Sequence, residues 1–188
     1  MPVNKNRIIW ILVFVLLFLA GIAGGFFYFS KGFGQAHMAA TAPQEEKQPD
    51  NSSFIRVYYP SEGRLVMEER RVKRQVSLPA MAEEIVKEFL KGPSQAKRSG
   101  IPVATKLLGI YPGSDGILYV DLSDEFRRNF QGDAIGEFLL LKGLYDSILS
   151  NVTGVDDVKI VIEGKEIESI GGHLFALYPL KNTLAEAK

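Results

Sequence analysis

The stretch Lys106–Leu122, KLLGIYPGSDGILYVDL, decides the fold class of this chain. Its first and last parts, Lys106–Ile110 and Ile117–Leu122, are rich in the residues that favour strands. Between them lies Pro112–Gly116 (PGSDG), a sequence typical of a turn. We therefore expect a β-hairpin, and with it an antiparallel strand pair near the middle of the chain.

Two segments with helical periodicity flank this hairpin. Between Ala82 and Leu90, apolar residues recur at three- and four-residue spacing, after a capping Ser77 and before Gly92-Pro93. A second apolar stripe runs from Ile135 to Val152, with Asp133 at its start. Both patterns predict amphipathic helices that pack on a sheet.

Further strands are predicted on either side. FIRVYYP (Phe54–Pro60) and Leu65–Val76 surround a turn at Ser61-Glu62-Gly63, Val158–Ile162 is strongly apolar, and Ile167–Ile170 is a short additional strand. Because strands and helices alternate irregularly, we expect an α+β domain, with one small mixed or antiparallel sheet packed by two main helices.

The uncharged segment Ile8–Phe29 predicts a transmembrane helix in front of this domain. Its 22 residues span roughly 33 Å as a helix, and a hydrocarbon core is about 30 Å thick. Lys5 and Arg7 precede the segment without any acidic residue, which favours a cytoplasmic N-terminus. The rest of the chain would then be exported, as a single-pass protein of the cytoplasmic (inner) membrane with a periplasmic or extracytoplasmic domain.

Two alternatives concern the same segment. A cleaved signal peptide would also export the domain, but its apolar region is normally about 7–15 residues long. Gly21 and Gly25 form a GxxxG pair that could bring two membrane helices together in a homo-oligomer, although glycine is common in such helices.

These patterns divide the chain into five parts. A cytoplasmic tail (1–7) and the membrane helix (8–29) precede a flexible linker (30–53), whose composition is too poor in large apolar residues for a core. The exported domain covers 54–180, and 181–188 is a frayed tail. As a coil, the linker would keep the domain on the order of 25 Å from the bilayer.

Composition excludes several classes of function. Without residues 1–31, 19 basic and 22 acidic residues remain, a balance that argues against nucleic acid as a partner. The absence of cysteine excludes disulfides and thiolate metal sites. Two histidines are too few for a histidine-based metal cluster, and we expect neither a metal nor a cofactor.

In order and spacing, several motifs of residues 54–179 resemble the GerMN domain, named for a sporulation and germination lipoprotein. The resemblance rests on FIRVYYP with GRLVMEERRV, AEEIVKEFLKGP, IPVATKLLGIYPGSDGILYVDLSDEF and GVDDVKIVIEGKEIESIGGH. It implies a small, non-catalytic cell-envelope domain that works by protein–protein contact. The chain departs from the family in two places: a membrane helix replaces a lipid-modified cysteine, and Leu174–Pro179 follows Gly172-His173 where the family commonly has an Asp and a Ser-containing turn.

Candidate catalytic groups are few. His173, in Gly171-Gly172-His173, could act as an acid or base, but no nucleophile accompanies it. Asp121, Asp124 and Glu125 could form a carboxylate pair for glycoside cleavage, yet they also suit a strand end and a helix cap. Asp156-Asp157 most simply precedes a strand. We therefore assign no catalytic, cofactor or metal residue.

The densest basic segment supplies candidate partner-binding residues. It contains Arg70, Arg71, Lys73 and Arg74, to which we add His173. In an extended strand Arg71 and Lys73 share one face, and Arg70 and Arg74 share the other. These cations could meet a partner or anionic headgroups, or simply blunt the edge of a sheet.

The sequence thus leads to two hypotheses. The first is a membrane-anchored, non-catalytic scaffold or adaptor that contacts envelope proteins. The alternative is an envelope protein that binds or cleaves cell-wall glycan.

Overall fold

The computed structural model describes residues 5–36, 51–94 and 99–186, and within the first helix the side chains of 13–28. The chain forms two compact units, Met1–Asp50 and Asn51–Lys188. Its elements are α1 (Lys5–Ala36), β1 (Ser52–Ser61), β2 (Arg64–Lys73), α2 (Leu78–Lys91), β3 (Leu107–Pro112), β4 (Ile117–Leu122), α3 (Glu125–Arg128), α4 (Ala134–Leu149), β5 (Asp157–Ile162) and α5 (Leu180–Glu186).

The first unit contributes one long helix, α1. Among the described side chains, no helix is both long and apolar enough to cross a membrane. The predicted span Ile8–Phe29 extends beyond those side chains, so it stays a prediction. Of the predicted linker 30–53, residues 37–50 lie outside the described residues, while α1 extends to Ala36 and β1 begins at Ser52.

The second unit is an α+β domain, as predicted, but its strands form two sheets instead of one. β1 and β2 make an antiparallel hairpin that turns at Glu62 and Gly63, both at positive φ. β3, β4 and β5 form a mixed sheet in that order, in which β3–β4 is the predicted antiparallel hairpin and β5 lies parallel to β4.

The sheets are separate because side chains of α4 and of the turn that follows it occupy the edge of β1 where another strand would pair. Ser147 Oγ accepts a hydrogen bond from Tyr58 N, and Asn151 bonds both N and O of Arg56. Gly143 permits this approach, since a Cβ there would lie 2.6 Å from Tyr58 O. Helical spacing of four places these three residues in one stripe.

Local sequence signals place the helix ends as predicted. Ser77 caps α2 by accepting from Ala80 N, and Asp133 caps α4 by accepting from Gly136 N. Gly92 ends α2 with φ 76°. β2 ends at Lys73 instead of the predicted Val76: the last bond of the hairpin runs from Arg74 N to Asn51 O, and the Ser77 cap of α2 follows shortly after.

The core lies between helices α2 and α4 and the inner faces of both sheets. Its largest buried side chains include Tyr59, Phe89, Leu118, Leu144 and Ile160. The Tyr59 and Phe89 rings stack with their centroids 6.1 Å apart, which joins β1 to α2.

Two predictions near the C-terminus are wrong. Residues 167–170 form no strand, because Ile170 N bonds the carboxylate of Glu137 instead of a neighbouring strand. Residues 181–186 are not frayed but belong to α5, whose Leu180 and Leu184 are buried one helical turn apart. Residues 187–188 lie outside the described part.

Candidate functional site

The predicted basic segment lies on β2, where neighbouring cations have different surroundings. Arg71 and Lys73 share the solvent-facing side of the hairpin, opposite Phe54 and Ser52 of β1. Arg71 Nε donates to Ser52 Oγ at 2.8 Å. Lys73 and Arg74 are exposed. Three of the four predicted cations are therefore accessible to a partner.

Arg70 lies on the opposite, core-facing side of the hairpin, where its side chain is half-buried at the edge of the core. Its guanidinium donates to Glu68 at 2.7 Å and to Gly92 O at 3.0 Å, and it lies 5.5 Å from the centre of the Tyr59 ring. Glu88 is 3.9 Å away. Burial raises the pKa of the Tyr59 hydroxyl to about 12. These contacts fasten β2 to the end of α2.

Glu68 completes this arrangement. Its carboxylate also accepts hydrogen bonds from the backbone and hydroxyl of Ser94. Burial by itself raises the pKa of Glu68, but the bonds from Ser94 and the charge of Arg70 outweigh it, and the pKa lies below its ordinary value of 4.5. The hydrogen bonds from Ser94 to Glu68 therefore hold the start of the loop after α2 against the hairpin.

His173 does not stand alone in a glycine turn; it lies beside a buried carboxylate. Its Nδ1 is 3.1 Å from Glu137 Oε2, which also accepts from His173 N. Glu137 Oε1 accepts from Ile170 N and Gly171 N, both at 2.8 Å. The Glu137 side chain is fully buried in α4, whereas 40% of the His173 side chain is exposed. This carboxylate accepts from three backbone N–H groups and thereby fixes the 170–173 loop.

The three acidic candidates for glycan cleavage are engaged in structural contacts, Asp121 with Gly164 and both Asp124 and Glu125 with Arg128. Asp121 is buried and accepts from Gly164 N at 2.9 Å. Asp124 pairs with Arg127 and Arg128 on the surface of α3. Each carboxylate therefore has a structural partner.

The remaining member, Glu125, also lacks the properties of a catalytic acid. It pairs with Arg128 at 2.7 Å. Hydrogen bonding from Ser123 lowers the pKa of Glu125, whereas a catalytic acid in glycoside hydrolysis needs a raised pKa.

Asp156 and Asp157 precede β5, as predicted. Asp157 Oδ1 accepts from Val158 N and from Lys181 N, and so links the start of β5 to α5. Within the described residues, no group of three or more histidine or acidic side chains is placed to hold a metal ion.

The predicted dimer contacts Gly21 and Gly25 lie in α1. No other part of the described chain comes within 4 Å of a Cβ built at either position. The contact between membrane helices remains a prediction.

A cleft, which sequence reasoning did not identify, lies between the β1–β2 turn, residues 99–103 and the start of α4. It encloses 1160 Å³, more than the about 300–1,000 Å³ usual for small-molecule pockets. Val103 and Ile135 line it with 74% and 61% of their surface exposed. Phe130 and Leu139 contribute further apolar surface. Association with another molecule would bury this exposed apolar surface.

Glu137 is the most distinctive residue that the sequence analysis missed. The available signal was its position, because Glu137 shares the helical face of Leu140, Leu141 and Leu144, all of them buried. An acidic residue within an apolar stripe predicts a buried carboxylate with specific partners. The identity of those partners depended on the fold.

Comparison with solved structures defines the class of fold. A candidate lipoprotein from Clostridium perfringens shares 20% identity at a TM-score of 0.50, over 69% of this chain and 87% of that one. The tandem GerMN domains of the sporulation protein GerM from Bacillus subtilis share 18% identity at a TM-score of 0.51, over 70% of this chain and 47% of that one. Asn51–Lys188 therefore has the α+β fold seen in GerMN domains.

The family follows from the sequence itself. Residues 56–168 match the family model Germane, described by sporulation and spore germination, and the chain belongs to this family. The resemblance noted from the sequence motifs is thereby confirmed. A comparison with curated protein sequences finds no match.

Proposed function

We propose that this chain is a membrane-anchored, non-catalytic domain of the cell envelope that acts as a scaffold or adaptor for another protein. The observation that carries the proposal is the cleft with exposed Val103 and Ile135, since association buries such apolar surface favourably. Membership of a family described by sporulation and germination supports an envelope setting. The segment Ile8–Phe29 supports the anchor.

The geometry of the candidate carboxylates also supports a role in protein–protein contact in preference to catalysis. Glu137 holds the 170–173 loop, Asp121 holds Gly164, and Asp124 pairs with arginines of α3. A catalytic carboxylate would instead have to be available to a substrate. We therefore expect the domain to act by binding a partner on its surface and not by catalysing a reaction.

Photo-crosslinking in intact cells tests this proposal. A photoreactive amino acid is placed at Val103 or Ile135 in the full chain, and at exposed Lys165, away from the cleft residues, as a control. We expect one protein to be captured from both cleft positions and not from position 165. Capture of the same bulk proteins from all three positions would contradict the proposal.

One observation favours glycan binding as a second function. Phe175 and Tyr178 are 51% and 63% exposed, and their rings lie 5.7 Å apart. Exposed aromatic faces can stack on sugar rings. If the pair binds wall glycan, the full chain sediments with purified wall material and the Phe175→Ala/Tyr178→Ala variant does not. Equal sedimentation of both proteins, or of neither, would exclude this role for the pair.

A further inference from the structure

The end of the β1–β2 hairpin opposite its turn combines exposed apolar side chains with cations. Phe54 is 69% exposed and Val76 is fully exposed. Ser52 lies opposite Lys73, and Arg74 N donates to Asn51 O at 2.9 Å. The chain therefore enters the domain at this end.

Basic residues outnumber acidic ones at this end, where the exposed Glu69 lies opposite Arg56. Residues 51–61 and 70–82 contain five basic residues and no acidic one. Arg70 turns inward to Glu68, which leaves Arg56, Arg71, Lys73 and Arg74 on the outside. We call these four cations with Phe54 and Val76 the basic end.

We propose that the basic end docks on an anionic lipid surface. Phosphate headgroups attract basic residues that lie close to the membrane, and exposed Phe54 and Val76 can enter the boundary between headgroups and acyl chains. The charge attraction acts only within about 8 Å at physiological salt, so contact with the surface is needed.

The position of the basic end along the chain favours a lipid surface as its binding partner. The basic end begins at Phe54, directly after the predicted linker, and the uncharged Ile8–Phe29 precedes that linker. If this segment spans the membrane, the linker tethers the basic end close to the bilayer at a high effective concentration. Weak attraction then suffices for docking. The proposal rests on that span and not on the partner-binding cleft.

The absence of cysteine makes a labelling test clean. The full chain with Phe54→Cys carries an environment-sensitive dye and is reconstituted in vesicles that contain a lipid-borne quencher. We expect strong quenching with 30% phosphatidylglycerol and weak quenching with phosphatidylcholine alone. A dye at Val103→Cys should be quenched weakly in both. Equal quenching of the Phe54 label in both vesicles would overturn the proposal.

Charge variants provide the matched control. Lys73→Gln/Arg74→Gln removes two exposed cations of the basic end, and Lys165→Gln/Lys181→Gln removes two exposed cations elsewhere. At about fivefold per cation, the first pair should lower the docking equilibrium about 25-fold and the second should leave it unchanged. Equal effects of the two pairs would overturn the proposal. Cleft crosslinking would be unaffected, which separates this result from a failure of the proposed function.

Discussion

Replacement of Glu137 tests how the domain is held together. Glu137→Ala removes the acceptor of Ile170 N and Gly171 N. It also removes that of His173 N, but His173 is exposed and its N–H can bond water instead. Each buried donor left without an acceptor costs about 1–3 kcal/mol. Two donors therefore lower the free energy of unfolding by about 2–6 kcal/mol, a large part of the about 5–15 kcal/mol of a typical domain.

The matched variant is Glu137→Gln, which keeps one carbonyl oxygen for the same two donors. Its amide group faces His173 N and loses that bond, so we expect a smaller loss of about 1–2 kcal/mol. Urea unfolding of the full chain in mild detergent, followed by circular dichroism, gives both values. Hydrogen exchange at residues 170 and 171 should be faster in the alanine variant. Equal losses in the two variants, or a loss below about 0.5 kcal/mol for alanine, would refute the reasoning.

Three further predictions concern other parts of the domain. Gly143→Ala should destabilise it by about 2 kcal/mol or more, because the new Cβ would lie 2.6 Å from Tyr58 O. Gly136→Ala in the same helix has room for a Cβ and should be neutral or stabilising. If urea unfolding ranks the two variants in the reverse order, α4 does not approach β1 as closely as the structure shows. Ala104→Gly should stabilise the domain by about 1 kcal/mol, since Ala104 adopts φ 66°, and an unchanged unfolding midpoint would argue against strain there. The pKa of Glu68 is lowered in the folded state, so its contribution to the free energy of unfolding is complete above the unfolded pKa of about 4.5 and is lost as the pH falls through the lower folded value. Glu68→Gln should therefore make the free energy of unfolding depend less on pH below 4.5. If the wild type and the variant lose stability in parallel, the ion pair contributes nothing.

The parts of the fold that the sequence predicted depend on neighbouring residues. Ser77 and Asp133 cap helices whose backbone they contact three residues away. The turn at 112–116 joins strands that lie next to each other in the chain. Such signals can be read in a short window because both partners are in it.

The parts that the sequence missed depend on distant residues. Asn151 bonds Arg56 across 95 positions, and the stripe with Gly143 and Ser147 replaces a strand at the edge of β1. No short window contains both partners, so the division into two sheets could not be predicted. Glu137 reaches residues 33 to 36 positions away for the same reason. Arg70 was correctly placed on its own face of the strand, but its ion pair with Glu68 and its bond to Gly92 depend on how α2 packs.

The most direct test of action by contact compares the wild-type chain with a variant of the cleft. Val103→Asp/Ile135→Asp places two charges on the exposed apolar surface without touching the buried core. The full-length proteins are crosslinked in intact cells, and the captured proteins are identified by mass spectrometry. We predict one dominant partner with the wild type and its loss in the variant, while the unfolding free energy of the two proteins remains equal. Recovery of only lipid and bulk proteins with both chains would contradict the proposed role.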